Sequence, residues 1–238
     1  NRCLNVCPTG AITSNGDSVS IDPNICAGCG ECAAVCPSGA VSYDVPPVHF
    51  LFNRIRTMAN SYKTAGGKAP RLLVHDDDHG AELSSLAARF SRGLPADVRP
   101  LAVSNRSGFG HSEMLVALAS GFTSVDSLAG PKTERDALDP QLELASAMVP
   151  GTDSRLRIIE PAEPDALCET LYISAPKPLE IMPILTLGGR REATRLAAPA
   201  LLGEQSAPIA LPDGAPYGAV GGDNGGGTRG LACASLGA

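Results

Sequence analysis

Tryptophan is absent from this 238-residue chain and aromatic residues make up only 4% of it, so any core it builds is aliphatic. Charge is also sparse: Asp, Glu, Lys and Arg together reach 18% and leave a net charge of −6. A surface that tracks nucleic-acid phosphates needs a basic surplus, which excludes that class of partner. No apolar run is long enough to cross a bilayer, so no membrane span is expected. A starting methionine is missing too, since the chain opens on Asn1. Targeting signals cannot be read from such an end, and the sequence reads as a piece of a longer protein. Nothing marks secretion, and the expected setting is the cytoplasm. Apolar residues, by contrast, supply 43% of the chain, enough for a real core in one large domain or two small ones. The 26 glycines and 20 prolines imply long loops rather than wholesale disorder.

Cysteine is where the sequence becomes specific. Of eight cysteines, six (Cys3, Cys7, Cys26, Cys29, Cys32 and Cys36) crowd into the first 36 residues, leaving Cys168 and Cys233 apart. Cys7-Pro8-Thr9-Gly10-Ala11-Ile12 recurs as Cys36-Pro37-Ser38-Gly39-Ala40-Val41, and the same displacement lays Cys3 on Cys32. It would place the equivalents of Cys26 and Cys29 just upstream of Asn1, so the first motif is expected to be truncated. Near the other end a fainter echo lays Cys26, Cys29, Cys32 and Cys36 on Gly227, Gly230, Cys233 and Gly237. A degenerate third copy and a glycine-rich tail with one chance cysteine both account for it. One thiolate cannot hold a cluster.

Three chemistries compete for the cysteine block. Disulfides suit it poorly, because Cys-x2-Cys-x2-Cys triplets give bad pairing geometry. Zinc needs four tetrahedral ligands, usually as two separated pairs, and would leave the run over-supplied. A duplicated iron–sulfur module uses all six. Two-residue gaps wind the backbone around a single cubane, and Ala27, Gly28, Gly30, Ala33 and Ala34 are small enough to let the chain approach it. Gly10 and Gly39 follow the two Cys-Pro turns, where a positive φ is expected.

The run Cys26-x2-Cys29-x2-Cys32-x3-Cys36-Pro37, with Cys3-x3-Cys7-Pro8 before it, resembles the bacterial-type dicluster [4Fe-4S] ferredoxin domain. The resemblance covers about residues 1–45 and implies an α+β ferredoxin-like module. Residues 11–13 with 19–21, and 40–43, would be its strands, and Gly30 to Val35 a helix. In that family the fourth cysteine of each run ligates the other cluster. The resemblance therefore implies one complete [4Fe-4S] site at Cys7, Cys26, Cys29 and Cys32. A second site would use Cys3, Cys36 and two ligands upstream.

Beyond Pro46-Pro47 the pattern changes. Residues 48–62 have helical spacing, with Phe50, Ile55 and Met58 in the apolar set, and residues 63–70 read as a linker, so 46–70 is helix plus linker. Strands at 71–75, 98–103, 122–128 and 155–160 then alternate with helices at 80–90, 111–120, 133–148 and 163–171. That alternation predicts an α/β domain with a mostly parallel sheet over residues 71–175. The helix at 80–90 would bury Leu83, Leu86, Ala87 and Phe90, Asp78 would cap it, and Thr133 would open the helix at 133–148. Cys168 reads as a small buried hydrophobe. Residues 176–220 are punctuated by proline with one helix near 190–202, and 221–238 hold the degenerate motif.

Ligands of parallel sheets sit at the carboxyl ends of the strands. Two such ends carry chemistry here. His75 and His79 with the aspartates between them could take a divalent metal, or form a solvated acidic loop. Arg106 with nearby amides could take an anion. No strand–GxGxxG–helix supports a dinucleotide site. Leu94–Gly108 and Met114–Val125 are similar to the small iron–sulfur delta subunit of methyl-viologen-reducing hydrogenases. That family carries cysteines at the strand ends where His75 and Asn105 stand here, so the resemblance implies a docking or scaffold role without a further cluster.

Three functions follow. The first is an electron-transfer protein or subunit, passing single electrons through [4Fe-4S] clusters within a soluble redox complex, with redox proteins as partners and no oligomeric state implied. Residues 1–45 set Arg2 against Asp17, Asp22, Glu31 and Asp44, which favours a basic docking partner. The second is an oxidoreductase whose α/β domain binds substrate or cofactor near His75 and Arg106. The third is a structural iron–sulfur docking module. No nucleophile–base–acid set is visible, so the electron carrier ranks first and catalysis by the chain itself stays open.

Overall fold

The computed structural model describes residues 2–36, 38–43, 46–104, 106–131, 133–149, 151, 154–173, 175–179, 181, 184–185, 188–203, 209–213 and 215–217, and of Arg106 only the backbone. Asn105, the Arg106 side chain and the stretch 221–238, with Gly227, Gly230, Cys233 and Gly237, lie outside the described residues. The N-terminal segment holds helix α1 (Arg2–Asn5), strands β1 (Ile12–Ser14) and β2 (Val19–Ile21), and the single-turn helix α2 (Glu31–Ala34). β1 and β2 form an antiparallel hairpin with Ile12 opposite Ile21. Gly10 and Gly39 have φ of 66° and 70°, a region closed to most side chains, so both Cys-Pro turns need glycine where they have it. The strand expected at 40–43 does not form. There the amides of Ala40 and Val41 hydrogen-bond the Cys36 sulfur instead of a neighbouring strand.

Helix α3 (Val48–Thr64) follows, burying Phe52, Ile55 and Ala59 along one stripe. Phe50, counted with the apolar set in the sequence, points outward. Strand and helix then alternate as expected: β3 (Arg71–Asp76), α4 (His79–Phe90), β4 (Val98–Val103), α5 (His111–Ala119), β5 (Ser124–Leu128), α6 (Arg135–Met148), β6 (Leu156–Ile159), α7 (Pro164–Leu171) and, later, α8 (Arg190–Leu202). The strands make one parallel sheet in the order β4-β3-β5-β6.

Side chains alternate across each strand, and that period of two sorts the core into halves. Leu72, Val74, Leu101, Val125 and Leu156 pack with α3, α5, α6 and α8 on one face. Leu73, Val98, Leu128 and Ile159 pack with α4 and α7 on the other. Cys168 belongs to the second half, buried, with its thiol directed at the Gly93 carbonyl at 3.4 Å. Every residue of α5 is buried, because helices close over it on the side away from the sheet.

The first crossover leaves β3 for β4, and the next returns past β3 to β5. The direction of winding therefore reverses beside β3, and the crevice this creates opens at the strands' carboxyl ends. The loops there end in contacts that the sequence does not announce. Asp76, not Asp78, caps α4: its Oδ1 accepts hydrogen bonds from the amides of Gly80 (2.8 Å) and Asp78 (3.1 Å). Thr133 does not open α6 as a cap; its hydroxyl accepts a bond from the Gly130 amide at 2.8 Å, tying the turn back. At the other edge Phe90, expected in the core, is the last residue of α4 and is 71% exposed, with the Arg89 guanidinium over its ring.

Candidate metal centre

The two copies of the Cys-Pro turn fold alike. Cys7 Sγ lies 3.7 Å from the Thr9 hydroxyl, and Cys36 Sγ lies 3.6 Å from the Ser38 hydroxyl. Burial works to raise the Cys7 thiol, but the Thr9 hydroxyl and the amides of Ala11, Thr9 and Ile12 outweigh it and leave its pKa below the ordinary thiol value. Cys36 is lowered in the same way: burial opposes, and the Val41 amide, the Ser38 hydroxyl and the Ser38 and Ala40 amides prevail. Each turn is thus a small nest of donors that stabilises a thiolate, the form that binds metal.

Cys29 and Cys32 differ. Burial, chiefly, raises both, and the negative charge of neighbouring groups adds to it. A thiolate held there wants a compensating cation.

Cys7, Cys26, Cys29 and Cys32 line a single cavity of about 100 Å³. Much of its remaining wall is small or apolar: Ala11, Ala27, Gly30, Ala33, Ile12 and Val41. Cys3 is buried on α1 and Cys36 half-buried, and neither borders it. None of the seven cysteines among the described residues forms a disulfide. Among the described residues no group of three or more His, Cys, Asp or Glu side chains gathers closely enough for a metal ion. The four thiols surround a volume rather than meet at a point, which fits a cubane, where each thiolate takes its own iron, better than a lone tetrahedral ion.

Two elements fasten the Cys26–Gly30 loop, and the sequence reading missed both. The Tyr43 hydroxyl donates a hydrogen bond to the Gly28 carbonyl, and its ring covers Gly30, where a Cβ would lie 3.1 Å from the ring carbon. Gly28 and Gly30 have positive φ of 70° and 85°. Tyr43 is the sole aromatic residue before His49, which was the one available signal.

The second fastening is the 3-10 turn Arg106–Gly108 after β4. Gly108 lies against the Cys29 carbonyl, and beside it Glu31 is buried at 2% exposure. Burial and then the neighbouring Glu134 carboxyl push Glu31 up to about 7, while a hydrogen bond with Ser107 works the other way. The cysteine module therefore docks on the carboxyl edge of the parallel sheet, where such sheets usually hold a ligand.

The other candidate ligands are placed differently. His75 is buried with Nδ1 2.8 Å from the Asp76 carbonyl, and His79 packs on Gly130. No third side chain joins them as a metal set among the described residues.

Comparison with known proteins bears on the same segment. Residues 1–40 match the 4Fe-4S dicluster domain. Hydrogenase-4 component A of Escherichia coli (strain K12) is 48% identical over 40 residues, which is 17% of this chain and 20% of that protein. Ferredoxin 7Fe of Hydrogenibacillus schlegelii is 43% identical over 42 residues, 18% of this chain and 54% of that protein. Electron transport protein HydN of Escherichia coli (strain K12) is 44% identical over 46 residues, 19% of this chain and 26% of that protein. The chain thus spans from a fifth to about half of these relatives' lengths. No solved structure matches the chain at a significant level. No helix among the described residues is long and apolar enough to cross a membrane.

Proposed function

We propose that this chain is an electron-transfer protein or subunit, working in the cytoplasm within a larger soluble redox complex and holding a [4Fe-4S] cluster on Cys7, Cys26, Cys29 and Cys32. The observation that carries the reading is the convergence of those four thiols on one small-walled cavity. Cys3 and Cys36 stand outside it, as two ligands of a second site would. A bound cubane supplies one-electron redox chemistry at a potential set by hydrogen bonds to its sulfurs, burial and local charge.

The protein's part is to hold and tune. Thr9 and the amides of Ala11 and Ile12 direct donors at the Cys7 sulfur. Tyr43 and Gly108 pin the loop that carries Cys26 and Cys29, and the buried Glu31 joins that loop to the sheet. The α/β region serves as the scaffold on which the module is mounted, in keeping with the docking role that its resemblance implies.

The test is iron and acid-labile sulfide per chain on anaerobically purified protein, with electron paramagnetic resonance before and after dithionite. About four irons and a signal that appears on reduction are expected. Cys29→Ser should lose both, while Cys168→Ser keeps them. Zinc in place of iron, or no metal, would overturn the proposal. A cluster that resists reduction would leave only the structural module.

A further inference from the structure

The cluster cavity has a closed side and an open one. On the closed side the 3-10 turn at Gly108 lies on the Cys29 carbonyl, Glu31, Ala33 and Ala34 are buried, and Cys29 and Cys32 are half-buried. On the open side every residue from Ile21 to Gly28 is exposed. Cys26 is the exposed cysteine among the described residues. Around it stand large apolar side chains that would ordinarily be covered: Ile21, Ile25 (50% exposed) and Tyr43. Ile21 and Tyr43 line the same cavity as Cys26.

The charge of this edge is one-sided. Between Arg2 and Arg54 the sequence has no Lys or Arg, whereas the exposed Asp17 and Asp22 fall within that stretch. Arg2 itself lies toward the sheet, near enough to His111 to act on it. An apolar patch with a ligand cysteine at its centre and acids but no cations in its surrounding chain is built to meet the opposite pattern.

We infer that the ribbon Ile21–Gly28, with Ile25 at its crest, is the docking edge for a one-electron redox protein whose apolar contact area is ringed by Lys and Arg. The inference rests on the function proposed above and deepens it by placing the partner. The α/β region blocks approach from the Cys29 and Cys32 side, so the partner comes to Cys26.

The test uses a basic c-type cytochrome as the probe and compares two variants of equal charge change. Ile25→Lys alters the edge, and Phe90→Lys alters a still barer hydrophobe at the far, amino edge of the sheet. Affinity of the oxidised holoprotein is measured by calorimetry at low and at physiological salt, and iron per chain is checked in each variant. The wild type should bind at low salt and weaken as salt rises. Ile25→Lys should weaken binding about tenfold, and Phe90→Lys by less than about twofold. Ile25→Ser, which leaves charge unchanged, should weaken it by an intermediate amount. Equal losses for the two lysine variants, or no binding at low salt, would overturn the inference while leaving a cluster-bearing protein. Absence of iron in the wild type would instead remove the functional proposal beneath it.

Discussion

A Cβ placed on Gly108 would lie 3.3 Å from the carbonyl oxygen of Cys29, so the loop after β4 and the cysteine loop meet backbone to backbone. A side chain here would press on the Cys29 carbonyl, and one of the two main chains would have to give way. Gly108→Leu is expected to lift the loop from the cysteines and open the closed side of the cavity to water. The measurement is iron release to a ferrous chelator from the loaded protein, which should be several-fold faster than in the wild type. Gly93→Ala, at a distant turn, should not match that acceleration, although its positive φ of 74° will cost some stability.

Tyr43 holds the same loop from the solvent side, through its bond to the Gly28 carbonyl and its ring over Gly30. Tyr43→Phe removes the bond and keeps the ring, at a cost of about 1 kcal/mol. Iron release about fivefold faster is the expected readout. Tyr62→Phe on α3 should leave the rate unchanged.

Away from the cysteines, the fully buried Glu113 pairs with Arg190 at 2.7 Å, joining α5 to α8, and its second oxygen accepts the Gly110 amide at 3.0 Å. Arg190→Met strands a buried carboxylate and should cost about 3–5 kcal/mol in urea denaturation. The double variant Arg190→Met with Glu113→Gln should recover a large part of that loss. If it recovers nothing, the cost lies in packing rather than in the stranded charge.

Acid should act through His111. Burial, above all, holds this ring's pKa below its ordinary value; Gln141 at 2.6 Å and the Glu113 charge oppose, and Arg190 and Arg2 reinforce the lowering. Tyr217 faces its Nε2 at 2.9 Å. A histidine depressed in the folded state binds its proton more readily when unfolded. Its contribution is therefore full above the unfolded pKa of about 6.5 and is lost as pH falls through the folded value. Glu31, raised to about 7, gains stability over the same range, so the effect is read as a difference: between pH 7.5 and 5 the denaturation midpoint of the wild type should lose ground to that of His111→Gln.

How much of this was legible beforehand depends on the range over which each feature is encoded. The positive φ at Gly10 and Gly39, the hairpin and the strand–helix alternation are written within a few residues, and the structure has them. Where local reading went astray, a neighbour in space was responsible. Residues 40–43 had strand character, but two of their amides serve the Cys36 sulfur. Phe90 had helical spacing, but as the last residue of α4 it stays 71% exposed.

The sequence by itself determined that a tight, duplicated cysteine motif precedes an aliphatic α/β region, because spacing and hydrophobic period survive without any long-range contact. Tertiary structure alone decided that the strands run β4-β3-β5-β6 and that the motif sits on the carboxyl edge of the sheet. The pairs that decide this, Gly108 with Cys29 and Glu31 with Glu134, are far apart in the chain. They are selected by shape and by the desolvation of a buried carboxylate, and neither leaves a periodic trace in a linear sequence.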